Sequence, residues 1–189
     1  DMEMESIFTP MNHRIDRRTF EKLVSRLKGF NYEETNHPET LDISYDNNDI
    51  RVTVTGMKDI ADYCNHNDID KIQDLVFTKK NRISKLDLVE YNIRINLKNE
   101  TLLDKTDPQV VDLLNNFNRK KKDFRIKKRI SFVTPDNLFR FDITQVKTPS
   151  IVNRKYVQSV SLVNSDIINN QVNYEVELEY IGDNGDLEE

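Results

Sequence analysis

The chain of 189 residues contains one cysteine, Cys64, one alanine, Ala61, no tryptophan, four glycines and five prolines. A lone cysteine cannot close an internal disulfide, and no CxxC pair is present to hold a soft metal. Both absences fit a reducing, intracellular compartment rather than secretion. Four glycines leave little room for a glycine-rich phosphate loop, and no GxxxxGK[ST] motif occurs, so side chains must hold any phosphate. No apolar run approaches the roughly 20 residues of a membrane-spanning helix, and no charged-then-apolar leader opens the chain. Positive charge is also short. With 28 Lys and Arg against 33 Asp and Glu, the net charge is -5 at pH 7, which excludes a uniformly basic nucleic-acid surface but not a local basic lining.

What the chain does contain is ordered. Hydrophobic residues make up only 37% and charged residues 32%, yet the apolar positions recur with regular periods, which disordered segments lack. The 21 asparagines reflect AT-rich coding and carry no chemistry. The abrupt, strand-like start reads as a domain cut from a longer protein.

Residues 1–8 alternate acidic and apolar, the period of a strand. Phe20, Leu23, Val24 and Leu27 then recur at helical spacing, which predicts an amphipathic helix over 17–28 that ends near Gly29. Residues 41–45 and 50–55 read as a hairpin around Asp46 to Asp49, 57–65 as a short helix, and 72–83 and 89–99 as two strands. Asp107-Pro108 places a capping carboxylate ahead of a proline at the first helical position. Val110, Val111, Leu114 and Phe117 form that helix's buried side. The remainder is nearly all strand: 122–134, 137–147, 154–164 and 171–181. Short connections make the strands mostly antiparallel. The expected fold is one mainly β (α+β) domain over residues 1–189, a closed antiparallel β-barrel of about eight strands with a charged lumen and a few flanking helices.

The last strand is the most informative. Glu175, Glu177 and Glu179 share one face, and Val176, Leu178 and Tyr180 the other. Same-face neighbours lie roughly 7 Å apart, so three carboxylates in a row repel one another unless cations sit among them. An isolated E-x-E-x-E is more often a solvated face. Here, however, Asp1, Glu3 and Glu5 repeat the pattern at the other end of the chain. Two acidic strand faces without histidine or cysteine suit a hard cation, Mg²⁺ or Mn²⁺, rather than zinc.

The middle strands carry the opposite sign. Arg125, Lys127, Arg129 and Ser131 alternate with apolar residues and Lys128. Arg140, Asp142 and Thr144 alternate with three apolar residues. Arg94, Asn96, Lys98 and Glu100 form a further polar face, and Arg51 and Thr53 another. If the sheet closes, these faces meet the acidic ones across a polar interior suited to a polyanion with a divalent cation, the arrangement that phosphoryl transfer requires.

In this order, with E-x-E near the start, K-x-R and R-x-D-x-T in the middle and E-x-E-x-E at the end, the chain resembles the triphosphate tunnel metalloenzymes. Within them it is most similar to the RNA triphosphatase component of mRNA capping enzymes of fungi and large DNA viruses, the mimivirus type in particular. The resemblance implies metal-dependent hydrolysis of the γ-phosphate from 5′-triphosphate RNA ends, with nucleoside triphosphates as side substrates. It implies metal ligation by Glu3, Glu5, Glu175, Glu177 and Glu179. Glu177, Glu179, Lys127, Arg129, Arg140 and Asp142 would be catalytic, Glu177 or Glu179 positioning the water. Arg51, Arg94, Lys127, Arg129, Arg140, Thr144, Lys80 and Arg82 would bind the triphosphate, and Glu100 would be a further acidic residue. The family's basic residue and aromatic after the first E-x-E are replaced here by Ser6-Ile7-Phe8, so Asp1 and Glu3 are the alternative first pair. Fused guanylyltransferase and methyltransferase domains and a viral setting, in the host cytoplasm or the virion, follow from the same resemblance.

Two other readings are a small-molecule triphosphatase acting on tripolyphosphate or thiamine triphosphate, and a non-catalytic barrel that binds phosphorylated ligands. His13, His37 and His66 share no metal spacing and read as surface residues. Cys64 reads as packing, and the run Arg119 to Lys122 as a solvated helix end.

Overall fold

Strands alternate with three short helices along the chain. The computed structural model describes residues 2–8, 14–45, 49–115, 117–153 and 155–182. The order is β1 (Met2–Ile7), α1 (Arg17–Lys28), β2 (Glu33–Asn36), β3 (Thr40–Ser44), β4 (Ile50–Thr55), α2 (Met57–His66), β5 (Leu75–Leu88) and β6 (Ile93–Leu103). Then come α3 (Pro108–Leu114), β7 (Asp123–Val133), β8 (Phe139–Lys147), a two-stranded ribbon of β9 (Ile151–Val152) and β10 (Lys155–Tyr156), and β11 (Asn173–Tyr180).

Eight strands close on themselves in the order β7, β3, β4, β5, β6, β1, β11, β8 and back to β7, every pair antiparallel. Closure leaves no free edge along the ring. The first and last strands lie side by side, with Glu5 opposite Glu179 and Ile7 opposite Glu177. β2 adds to β7 beyond the end of β3, so that β2 and β3 follow the same edge. Between them His37, Pro38 and Glu39 oppose only Lys128 and Arg129, a bulge of one residue. Pro38 has no N–H to offer a ladder, and such a position is where a strand tolerates it.

Local sequence explains the helices. The Asp16 Oδ1 accepts from the Thr19 amide at 2.8 Å and caps α1, and the Asp107 Oδ1 does the same for Gln109 at the start of α3. Gly56 enters α2 with φ of 91°, a conformation that costs glycine least. The helices cover outer faces of the barrel. Phe20 and Leu27 of α1 pack on Phe132, Ile143 and Val176, the outward residues of β7, β8 and β11. Ile60 and Tyr63 of α2, Val110 and Leu113 of α3, and Leu162 and Ile167 pack on Leu41, Ile43, Val52, Val54 and Phe124 of β3, β4 and β7. With hydrophobic material placed outside, the lumen is left for polar side chains.

Four expectations need correction. Val111 of α3 is exposed, and Leu113 is buried beside Val110 in its place. Residues 155–164 do not form one strand: Lys155 and Tyr156 pair with β9, Ser159 makes a single bridge to Lys122, and the segment then folds over the second core, where Leu162 is buried. The exposed polar stretch Glu33–Asn36 is a strand, held by pairing to β7 rather than by any apolar face. Lys122 is not solvated. It is fully buried, its Nζ donating to the Phe117 carbonyl at 2.8 Å and lying 4.9 Å from the centre of that ring. Burial pushes its ammonium down to about 8. The turn at Asp46 to Asn48, His13, Asp1 and the segment after Gly182 lie outside the described residues.

Candidate active site: the charged tunnel

Period-2 alternation turns the polar set of each barrel strand inward, where it lines a cavity of about 490 Å³. Eight carboxylates and seven Lys and Arg side chains surround this space. The charges are therefore nearly balanced, and the lining is its own counter-ion.

The acidic wall is β1 and β11 with one residue of β6. Glu3 pairs with Lys80 at 3.3 Å, and Lys80 also reaches Glu100 at 2.7 Å. Glu5, itself buried, pairs with Lys98 and accepts from the Asn96 amide at 3.1 Å. On β11, Glu175 accepts from the Arg125 Nη2 at 2.8 Å with both oxygens, and Glu179 pairs with Arg140. Glu177 is the least engaged of the three, 3.6 Å from the Arg129 Nη2.

The basic wall is held by two aspartates. Asp142, only 1% exposed, accepts from Ser131 at 2.5 Å, from the Arg129 Nη1 at 2.9 Å, and from the Arg140 Nε and Nη2 at 3.0 and 3.1 Å. It fixes both guanidinium groups against β8. Asp42 on β3 lies between Arg51, at 3.3 Å, and Lys127.

Low solvent and crowded charge shift the protonation of these groups. Burial pushes Glu179 up to about 7, with Glu3 and Asp142 adding to it against Arg140. Burial and a hydrogen bond with Glu3 push Glu100 up. Burial works to raise Glu3, but its bond with Glu100 and the ammonium groups of Lys80 and Lys98 outweigh it and hold Glu3 below its ordinary value. Burial lowers Lys127 to about 8, against the attraction of Asp42.

Of the residues that the sequence singles out, Glu3, Glu5, Arg51, Lys80, Glu100, Lys127, Arg129, Arg140, Asp142, Glu175, Glu177 and Glu179 all line this one cavity. Three are placed elsewhere. Thr144 is buried behind the wall and accepts from the Arg129 Nε at 3.3 Å. Arg94 turns out of the lumen to Asp87, with bonds of 2.7 and 3.3 Å that, together with Lys85, hold that carboxyl down to about 2. Arg82 is exposed on β5: it stays in register with Lys98 but does not line the cavity.

Lys98 and Arg125, expected on inward polar faces though given no role, also line the cavity; Asp42 and His37 line it without having been singled out. Asp42 was legible as well, since Thr40, Asp42 and Ser44 alternate with Leu41 and Ile43 along β3. His37 is no detached surface residue: the bulge brings its Nε2 within 2.8 Å of the Ser131 Oγ. Ser131 gives its own proton to Asp142, so His37 is the donor in that contact. Burial, then the charge of Arg129, lowers the His37 pKa.

The carboxylates suit a divalent cation in kind, because all are hard oxygen donors. Their placement agrees: Glu5 directly faces Glu179 across the β1–β11 pair, a like-charge contact that costs stability unless a cation intervenes. Among the described residues no three of them converge as a ready-made cage, because each has turned towards a basic neighbour.

A closed eight-stranded antiparallel barrel around such a lumen is the triphosphate-tunnel fold. Three solved structures of the mimivirus mRNA capping enzyme's triphosphatase domain share it. One, described as the RNA triphosphatase domain of a trifunctional capping enzyme, is 22% identical, with a TM-score of 0.67 over 96% of this chain and 80% of that one. A triclinic form is 20% identical with a TM-score of 0.64, and a monoclinic form 21% identical with 0.65, each over 99% of this chain and 84% of the other. A chain of the Schizosaccharomyces pombe Mediator head module, 13% identical over 97% of this chain and 84% of its own, has a TM-score of 0.50. Compared by sequence, the chain matches no protein-family model and no curated protein.

Proposed function

We propose that this chain removes the γ-phosphate from 5′-triphosphate RNA ends with Mg²⁺ or Mn²⁺, leaving a diphosphate end, as the first step of mRNA capping. The observation that carries this is the lumen itself, a single cavity with carboxylates concentrated on β1 and β11 and with Lys and Arg on the strands around them. The likeness to the mimivirus triphosphatase structures supports the same reading, as does the sequence resemblance. A fused guanylyltransferase and methyltransferase and a viral setting belong to this proposal.

Glu3, Glu5, Glu175, Glu177 and Glu179 would hold the cation, whose chemistry is to neutralise phosphate charge and polarise the γ-phosphorus. Arg129 and Arg140, oriented by Asp142, and Lys127 and Arg51, beside Asp42, bind the phosphate oxygens. Spread over the three equatorial oxygens of the transferring group, they meet charge where it develops. Glu177, the carboxylate with the loosest cation contact, positions the attacking water.

A near-neutral lining admits a polyanion by exchange of partners. Phosphate oxygens draw the guanidinium groups away from Glu175, Glu177 and Glu179, and the freed carboxylates then gain affinity for a divalent cation. Metal and triphosphate therefore bind cooperatively. In thermal unfolding, tripolyphosphate and Mn²⁺ together are expected to raise the midpoint by more than the sum of their separate shifts; additive shifts would contradict the exchange.

The decisive assay is phosphate release from γ-labelled triphosphate-ended RNA, with and without Mg²⁺ or Mn²⁺. Metal-dependent release from RNA is expected. Release from tripolyphosphate or thiamine triphosphate but not from RNA would make the chain a small-molecule triphosphatase. No release from any of them would favour the non-catalytic barrel.

A further inference from the structure

Asp42 stands apart from the other acidic residues of the lumen. It lies on β3, away from the glutamate-bearing strands, and is 5% exposed. Its Oδ1 accepts from the Thr53 hydroxyl at 2.9 Å, and its Oδ2 meets both Arg51, from β4, and Lys127, from β7. The next cation along β7, Arg125, is its cross-strand partner but is already taken by Glu175. Among the described residues, Asp42 is the only carboxylate within ion-pair distance of Lys127.

We propose that Asp42 is a positioning residue of the triphosphate site: it anchors Lys127 and Arg51 side by side, so that both cations face the bound phosphates together. This rests on the function proposed above and assigns to one carboxylate a role opposite to that of the glutamates. The glutamates give up their cations when substrate enters, whereas Asp42 keeps its own.

The reason is the company that Lys127 keeps. Arg51 from β4 and Arg125 from its own strand repel it, its β8 partner is the uncharged Val146, and only Asp42 attracts it. Burial has already brought Lys127 down to about 8. Without the Asp42 charge the same surroundings strip its proton at lower pH, and an uncharged amine holds no phosphate. The sign follows: a lysine below its ordinary value is charged under that value and neutral above it, so phosphate affinity falls as pH rises through it.

The test is calorimetric titration of the intact chain with tripolyphosphate in the presence of Mg²⁺, across about pH 6 to 9. Wild-type affinity is expected to fall above about pH 8. In Asp42→Asn the fall should move down by about one pH unit, a loss of about threefold near pH 7.5 that grows to about tenfold by pH 9 and vanishes towards pH 6. Lys127→Arg, which cannot lose its proton in this range, should abolish the fall above about pH 8, and adding Asp42→Asn to it should not restore one. Loss by the same factor at every pH, or an unshifted profile, would overturn the proposal. If Asp42→Asn fails to fold, Asp42→Glu decides: it retains the charge and must retain the wild-type profile, and a shifted one refutes the role. A wild-type chain that binds no tripolyphosphate sinks the proposed function as well. Binding with an unshifted Asp42→Asn profile sinks the role of Asp42 alone.

Discussion

Glu177→Ala is expected to abolish phosphate release, by at least about two to three orders of magnitude, while the thermal midpoint stays where it was. Both halves of that result come from one distance. Glu175 and Glu5 are bound closely to Arg125 and Lys98, so removing either strands a partly buried cation, whereas Arg140, the partner of Glu179, keeps Asp142. Glu177 lies 3.6 Å from Arg129, and that guanidinium is already satisfied by Asp142 and Thr144. The fold therefore depends little on Glu177. The proposed chemistry depends on it heavily, because it lies between Glu175 and Glu179 on the lumen face and opposite Ile7 of β1. Parallel phosphate-release and melting curves check the prediction. Retained turnover would remove Glu177 from the site, and a large drop in melting temperature would show that its contact with Arg129 is structural.

Asp142→Ala is expected to fail in both respects. Its carboxylate is nearly inaccessible and accepts four hydrogen bonds, from Ser131, Arg129 and two nitrogens of Arg140. Truncation leaves two guanidinium groups without their shared acceptor, a change that costs roughly 3–5 kcal/mol when the partners are buried. These arginines are about one-third exposed, which places the loss at the lower end of that range. Turnover should fall below detection for a separate reason. Released from Asp142, Arg129 has Glu177 as its next acceptor and Arg140 has Glu179, so the arginines would hold the carboxylates needed for the cation. Asp142→Asn separates the two effects. It fills the same space but keeps only one acceptor oxygen for four donors, so it should recover only part of the stability, measured by urea unfolding, and no phosphate release.

These expectations draw unequally on sequence and structure. The carboxylates of β11 were legible from alternation alone, because one E-x-E-x-E strand states which three side chains share a face. The same holds for Lys127 with Arg129 and for Arg140 with Asp142. Alternation failed where the backbone departs from a regular strand. The bulge at His37 to Glu39 brought His37 to Ser131, while Arg82, in register with the lumen residue Lys98, is nonetheless exposed. It also says nothing of which polar neighbour a side chain prefers. Arg94 has lumen parity, but the nearby Asp87 captures it.

Lys122 shows the limit from the other side. Within a run of four basic residues it resembles its neighbours, and only the packing of the 159–167 segment against Phe117 buries it. Period and residue type are local properties, so most of the strands, their inward faces and the sign of charge on each could be read directly from the chain, with Glu33–Asn36 and 155–164 the exceptions. The tertiary structure decided which strands are neighbours, and with them that the first and last strands join, that Glu5 meets Glu179, and that Asp42 and Asp142 each hold a pair of cations. Those contacts link residues far apart in the chain, and closing the barrel is what brings them within the few ångströms over which charges select their partners.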